Sequence, residues 1–292
     1  MKRTGLLLAL CILALLSAVA PTAAQDGISV TCDNGVTFDN GVEIIVNQMR
    51  AGFTYTATAI GLNGFDPVLA VLDAQGRGLC NDDDANAAAY SANLPSTGLV
   101  SPSQLASQIS FAQTSGQNMA DVSLVVGGLG NTSGEFLLIL EGMAVTDADG
   151  RGDPFSIRLS PSVIGSGLPI TAYMISVTDR LDPLMYLADE DLNIVQDDAG
   201  NDVYCDDGGD TARCWGQSAN LTGMYVSRTA GRQLGGYGLD AMLTLPTADA
   251  TPNLFYNLVM TSYNQESFGD YLIAFHIGIG TAAGGSGGKP NA

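Results

Sequence analysis

Two stretches of the chain align without a gap at a separation of 116 residues, Asp66 standing against Asp182. The first, Phe65-Asp66-Pro67-Val68-Leu69-Ala70-Val71-Leu72-Asp73, runs on to Asn81-Asp82. The second, Leu181-Asp182-Pro183-Leu184-Met185-Tyr186-Leu187-Ala188-Asp189, runs on to Asp197-Asp198. Few residues are identical, but acidic residues bracket an apolar run at the same positions. A second landmark recurs, Gly134-Glu135-Phe136-Leu137-Leu138 against Gly269-Asp270-Tyr271-Leu272-Ile273. A pattern carried twice is expected to be folded twice. The sequence therefore predicts two related modules, each burying its own interior.

Both modules read as strands. In the first, Val42 to Val46, Tyr55 to Ile60, Val68 to Leu72, Ser123 to Val126 and Phe136 to Leu140 are short apolar or alternating runs. Phe155 to Leu159, Ala172 to Val177, Leu184 to Leu187, Leu239 to Leu245, Phe255 to Thr261 and Tyr271 to Ile277 repeat the scheme. Gly, Asn, Asp and Pro separate the runs at spacings that suit an antiparallel sandwich or barrel. Long helical periodicity is absent, and Ser103 to Ser110 reads as a short turn of helix. Residues 25–146 form the first module and 155–280 the second. The polar, glycine-bearing stretch 147–154 is the linker. The Gly- and Ser-rich tail 281–292 has little to order it.

Residues 1–24 are expected to be removed. Lys2 and Arg3, an apolar run from Leu6 to Leu16, and Thr22-Ala23-Ala24 have the order of a secretory signal peptide. No later segment has the apolar length of a membrane-spanning helix. The chain has 11 basic and 30 acidic residues; losing Lys2 and Arg3 leaves 9 basic, a net charge of 9 − 30 = −21. Such a surface repels phosphate backbones, so nucleic acid is not the expected partner. Cys32, Cys80, Cys205 and Cys214 remain, an even number that favours disulfides in an exported chain. Assigning two cysteines to each module pairs Cys32 with Cys80 and Cys205 with Cys214. Zinc ligation would need a close paired spacing that is missing here.

Asp66-Pro67, Asp73-Ala74-Gln75-Gly76, Asn81-Asp82-Asp83-Asp84 and Gly134-Glu135-Phe136, with Asp182-Pro183, Asp189, Asp197-Asp198 and Gly269-Asp270-Tyr271, resemble the bacterial pre-peptidase C-terminal (PPC) domains. The resemblance covers most of residues 40–280 and rests on short motifs. It implies an all-β fold of two tandem jelly-roll-like antiparallel β-sandwich domains. It also implies roles in secretion, substrate binding or stability beside a secreted peptidase. No peptidase accompanies the pattern here.

The acidic clusters carry the sharpest chemistry. Hard cations such as Ca2+ take six to eight oxygens, which closely spaced carboxylates and carbonyls supply. Asp66 at a strand entry, with Asn81, Asp82 and Asp83 at the next strand's exit, forms one candidate site. Asp182, Asp197 and Asp198 form its equivalent, and Asp147, Asp149 and Asp153 in the linker a weaker one. Tyr186, Tyr204, Trp215, Tyr225 and Tyr237 concentrate aromatic surface in the second module, where exposed rings stack on sugars or anchor a protein partner. The single histidine, His276, lies in an apolar strand, and no nucleophile elbow or zinc-protease helix accompanies it. The reading is an exported, non-catalytic binding or adhesion protein at the cell surface or in the periplasm, with Ca2+ its only expected cofactor. Its target would be an extracellular polysaccharide or protein. The alternative is an accessory or inhibitory partner of a separate secreted hydrolase.

Overall fold

A computed structural model of the protein describes residues 27–280, apart from 74, 86, 88–90, 102, 113–118, 147–152, 178–179, 198, 207–213, 216–223, 227–231, 235–239 and 246–254. The first half supplies β1 (Ile28–Thr31), β2 (Thr37–Arg50), β3 (Thr54–Gly61), β4 (Pro67–Leu72), β5 (Gly78–Asn81), β6 (Ala92–Leu94), β7 (Gly98–Val100), β8 (Ser107–Ala112), β9 (Met119–Gly128) and β10 (Gly134–Val145). The second half opens with β11 (Asp153–Arg158), a short helix α1 (Pro161–Gly165), β12 (Ile170–Ser176), β13 (Pro183–Ala188), β14 (Tyr204–Cys205) and β15 (Cys214–Trp215). It closes with β16 (Met224–Val226), β17 (Arg232–Leu234), β18 (Ala241–Leu245), β19 (Phe255–Ser262) and β20 (Gly269–Ile279).

The fold is the all-β antiparallel sandwich that the spacing of apolar runs and turn residues indicates. One sheet is ordered β14-β13-β19-β11-β2-β9-β4-β5, with β1 paired to the start of β2. The facing sheet is ordered β15-β18-β12-β20-β10-β3-β8. Segment 103–110, expected as a helical turn, instead contributes β8, whose register against β3 pairs Ala57 with Ile109. The Gln108 side-chain amide donates to Thr58 Oγ1 at 2.8 Å within the ladder. Asp153 and Pro154, expected in the linker, are the first residues of β11.

The halves do not keep separate interiors. β11 pairs with β2 in one sheet and β20 with β10 in the other, so both sheets run unbroken across the middle. One hydrophobic cluster between the sheets draws Ile44, Leu124 and Phe136 from the first half, and Phe155, Met174 and Phe275 from the second. The reason is physical. Split apart, each half would expose two long apolar edge strands with unpaired main-chain groups, and joining them satisfies both sets at once. β10 and β20 read as continuous apolar runs because both their faces are covered. Leu138 and Phe275 face the inner cluster, while Leu137, Ile139 and Ala274 face a second cluster completed by Ala92, Leu94 and Val100.

The seam has two-fold register. Leu69 pairs with Val126 as Met185 pairs with Met260. Val126 pairs in turn with Val42, and Met260 with Asp153, which makes Val42 and Asp153 counterparts. Three positions further on, Ile45 and Ser156 face each other across the seam. In the other sheet Gly134 corresponds to Gly269; five positions on, Ile139 pairs with Ala274. In each sheet, then, a residue meets its own counterpart, as an isologous contact requires. Side chains reinforce the junction: Arg158 lies 3.6 Å from Glu43, and the Tyr271 hydroxyl donates to Asp153 at 2.9 Å.

The two disulfides are Cys32–Cys80, which ties the β1 turn to β5, and Cys205–Cys214, which joins the edge strands β14 and β15 of opposite sheets. Both are the pairings expected from sequence.

A shared core predicts one unfolding unit. Leu138 is fully buried, and Leu138→Ala should cost about 2–5 kcal/mol. In urea, fluorescence of Trp215, the only tryptophan and in the second half, should shift together with far-UV circular dichroism. A tryptophan transition that stays in place while the dichroism moves would mean that the halves unfold separately.

Candidate metal centre

The β4–β5 hairpin decides which acidic residues meet. Leu69 pairs with Asn81, so Asp66 just before β4 and Asp82-Asp83 just after β5 emerge at the same end of the sandwich. One carboxylate oxygen from each of the three lies within 4.8 Å of the others. A cation bound at 2.3–2.6 Å spans ligand pairs up to about 5 Å apart, so the separation suits Ca2+. Asp66 Oδ1 and Asp82 Oδ1 are buried without a hydrogen-bond partner among the described residues. Buried acceptors left unpaired are costly, and a cation here would satisfy both. Burial, followed by the charge of Asp83, raises the pKa of Asp66; burial, then Asp66 and Asp83, raises that of Asp82. Asn81 is directed elsewhere, its side-chain oxygen accepting the Gln108 N–H at 3.1 Å.

The residues proposed from the second copy are arranged differently. Asp197 Oδ1 accepts the N–H groups of Ala199 and Asn201 at 2.9 Å each, capping its own turn. Asp189 does the same for Asp191 and Asn193, and Asp73 for Gln75 and Arg77. In all three turns the acid's own N–H bonds the carbonyl four residues on, and a residue at positive φ (Gly76, Leu192 or Gly200) precedes that position. This is a three-residue hairpin loop with a left-handed residue near its end. The carboxylate of Asp197 therefore serves turn formation. Those hydrogen bonds lower the pKa of Asp73 and Asp189.

Strand register also re-pairs the second copy. Met185 pairs with Cys205 as Leu69 pairs with Asn81, so Cys205 corresponds to Asn81 and Asp206 to Asp82. The turns at Asp189 and Asp197 belong to an added hairpin, in which Ala188 bridges Ile194 and Gln196 bridges Asp202. Asp182 keeps the place of Asp66: its carbonyl accepts the Tyr263 N–H as that of Asp66 accepts Leu129 N–H. Asp198 lies outside the described residues, as do Asp147 and Asp149. Asp153 is engaged at the seam, with Tyr271 and with Arg50 at 4.0 Å.

Among the described residues, His276 and Asp240 are buried titratable groups outside the acidic clusters. His276 Nε2 sits 3.2 Å from Glu135 Oε2; burial lowers the pKa of the ring although Glu135 opposes this. Asp240, which the sequence reading passed over, is 4% exposed, and its Oδ1 accepts the Ser176 N–H at 2.9 Å. Burial pushes its pKa up to about 6. No local pattern marks it, because its burial comes from packing rather than from its neighbours in sequence. Compared with known proteins, the chain matches no family model and no curated sequence.

Two stability measurements follow. A carboxyl whose folded pKa is raised binds its proton more tightly in the folded state, so stability falls as pH rises through the folded value. Asp240→Asn should therefore stabilise the protein at pH 7 by up to about 3 kcal/mol, with the gain vanishing below pH 4. A variant less stable than the parent at both pH values would contradict the assignment. At neutral pH in chelator, Asp82→Asn should raise the melting temperature, since it relieves repulsion from Asp66 and Asp83. A fall would show that the three carboxylates are not mutually repelling.

Proposed function

We propose that the chain is an exported, non-catalytic binding or adhesion protein, working outside the cytoplasm and stabilised by Ca2+ at Asp66, Asp82 and Asp83. The observation that carries the metal reading is the convergence of three acids, two of which, Asp66 and Asp82, bury a carboxylate oxygen that has no hydrogen-bond partner among the described residues. The two disulfides support an oxidising, extracytoplasmic setting. Among the described residues no helix is long and apolar enough to cross a membrane. The basic leader in residues 1–24 supports export, although it lies outside the described residues.

The binding role is supported by the layout of the molecule. A sandwich with disulfide-tied hairpins and a fixed acidic corner presents rigid faces for recognition. A target of polysaccharide or protein fits this reading, and we infer an origin by duplication from the matched strand orders of the two halves. His276, held in a strand ladder against Glu135, has the surroundings of a packed residue.

The calcium reading is tested by melting the protein with and without the ion. A site saturated a hundredfold above its dissociation constant stabilises by about 2.7 kcal/mol, or roughly 5–10 °C for a chain of this size. Chelator should remove that increment, and Asp82→Asn should abolish the calcium response. An unchanged melt in excess Ca2+ would refute the reading.

A further inference from the structure

The halves differ on the outer face of the sheet that carries β2 and β11. In the first half, β1 folds back with the start of β2, and Val30, Cys32 and Phe38 pack on Val68, Ala70 and Val125. The Phe38 ring lies on Gly127, where an added Cβ would meet it at 2.2 Å. Register makes Thr261 the counterpart of Gly127, and Leu184 and Tyr186 those of Val68 and Ala70. In the second half these residues line a groove of about 740 Å3; the segment just before β11, 147–152, lies outside the described residues.

The floor of the groove includes buried Val259 and Thr261, and half-buried Tyr186 forms part of its lining. Three amide side chains, Gln48, Asn264 and Gln265, also line it. All three hold left-handed backbone, at φ of 58°, 53° and 56°, as does Leu192 at 64°. Among the described residues seven non-glycine positions do so, and four of them border this one groove. Leu192 holds this conformation within the Asp189 hairpin loop, and Asn264 and Gln265 within the turn after β19 that matches Gly130-Asn131 after β9; these turns bring the amides to the groove.

We propose that this groove binds an uncharged polysaccharide segment, with Tyr186 against the C–H face of a sugar ring and the amides on its hydroxyls. The proposal rests on the extracellular-binding reading above and gives it a site and a ligand class. Amides present donor and acceptor together, as sugar hydroxyls do. Among the described residues no Lys or Arg lines the groove to receive phosphate, sulfate or carboxylate; Asp191 lines it, and the chain's net charge of −19 repels such groups. An aromatic face beside polar donors suits a ring with one apolar side. A peptide that binds by extending a sheet needs a free strand edge, and the strands beneath this groove, β13 and β19, are paired on both sides.

The test is affinity electrophoresis of the full exported chain through gels containing dextran, xylan, galactomannan or a β-1,3-glucan, with alginate as the anionic counterpart. At least one neutral polymer should retard the protein. Tyr186→Ala and Gln265→Ala should each weaken that binding about tenfold or more, while Leu79→Ala on the first half leaves it unchanged. Gln265 is exposed, so its variant reports on binding even if Tyr186→Ala proves unstable. Retardation that survives both groove variants would overturn the site yet leave the extracellular-binding reading standing. Binding to alginate alone, to a protein alone, or to no polymer would overturn the ligand class. Loss of the calcium response would count against the metal site, not against this groove.

Discussion

Main-chain pairing across the seam is the constraint on which the other features depend. β2 against β11 and β10 against β20 convert four apolar strand edges into the interior of two sheets. Without those ladders Phe155 and Phe275 would lose the partners that bury them, and the inner cluster would divide into two small cores. A small domain buries a smaller fraction of its surface than a large one. Fusing the halves therefore gains hydrophobic stabilisation that neither could reach by itself. The two-fold register, with Ile45 opposite Ser156 and Ile139 opposite Ala274, lets one joint serve both halves.

A shared frame leaves the halves free to differ at their outer ends and faces. The first half is closed: β1 and Phe38 cover its outer face, Cys32–Cys80 fixes that cover, and three acids converge at the hairpin end. Among the described residues the second half has no such cover, and it carries an added hairpin. Cys205–Cys214 holds the sheets together at the edge beyond it. The asymmetry is small in sequence, with glycine at 127 where its counterpart is threonine at 261. In space it separates a packed face from an open groove.

Much of the strand pattern was legible in the sequence, because apolar runs and Asp- or Gly-bearing turns mark it directly. Both disulfides followed from assigning cysteines to halves. The seam was not legible, since a continuous apolar run such as Leu137 to Leu140 suits any strand covered on both faces. β8 was missed because the partners that accommodate Gln108 and Ser110 are distant in sequence, Thr58 and Thr56 among them. The convergence of Asp66 with Asp82 and Asp83 could be read, as a hairpin returns its ends to one place. The second copy was aligned to the nearest acidic pair, but strand register, which sequence does not display, sets Cys205 against Asn81. The side chain of Asp197 then proved to be a turn cap, chemistry that an Asp-x-x-Gly-Asn spacing could have revealed.

Hydrogen exchange in the native state tests the fused sandwich most directly. Amides of Leu138 and Ile139 in β10, and of Ala274 and Phe275 in β20, should exchange only by global unfolding, with one common free energy that matches the slowest amides of β4 and β13. Seam amides that exchange well before those inner strands, or halves with distinct exchange free energies, would show that the molecule is two sandwiches in contact rather than one.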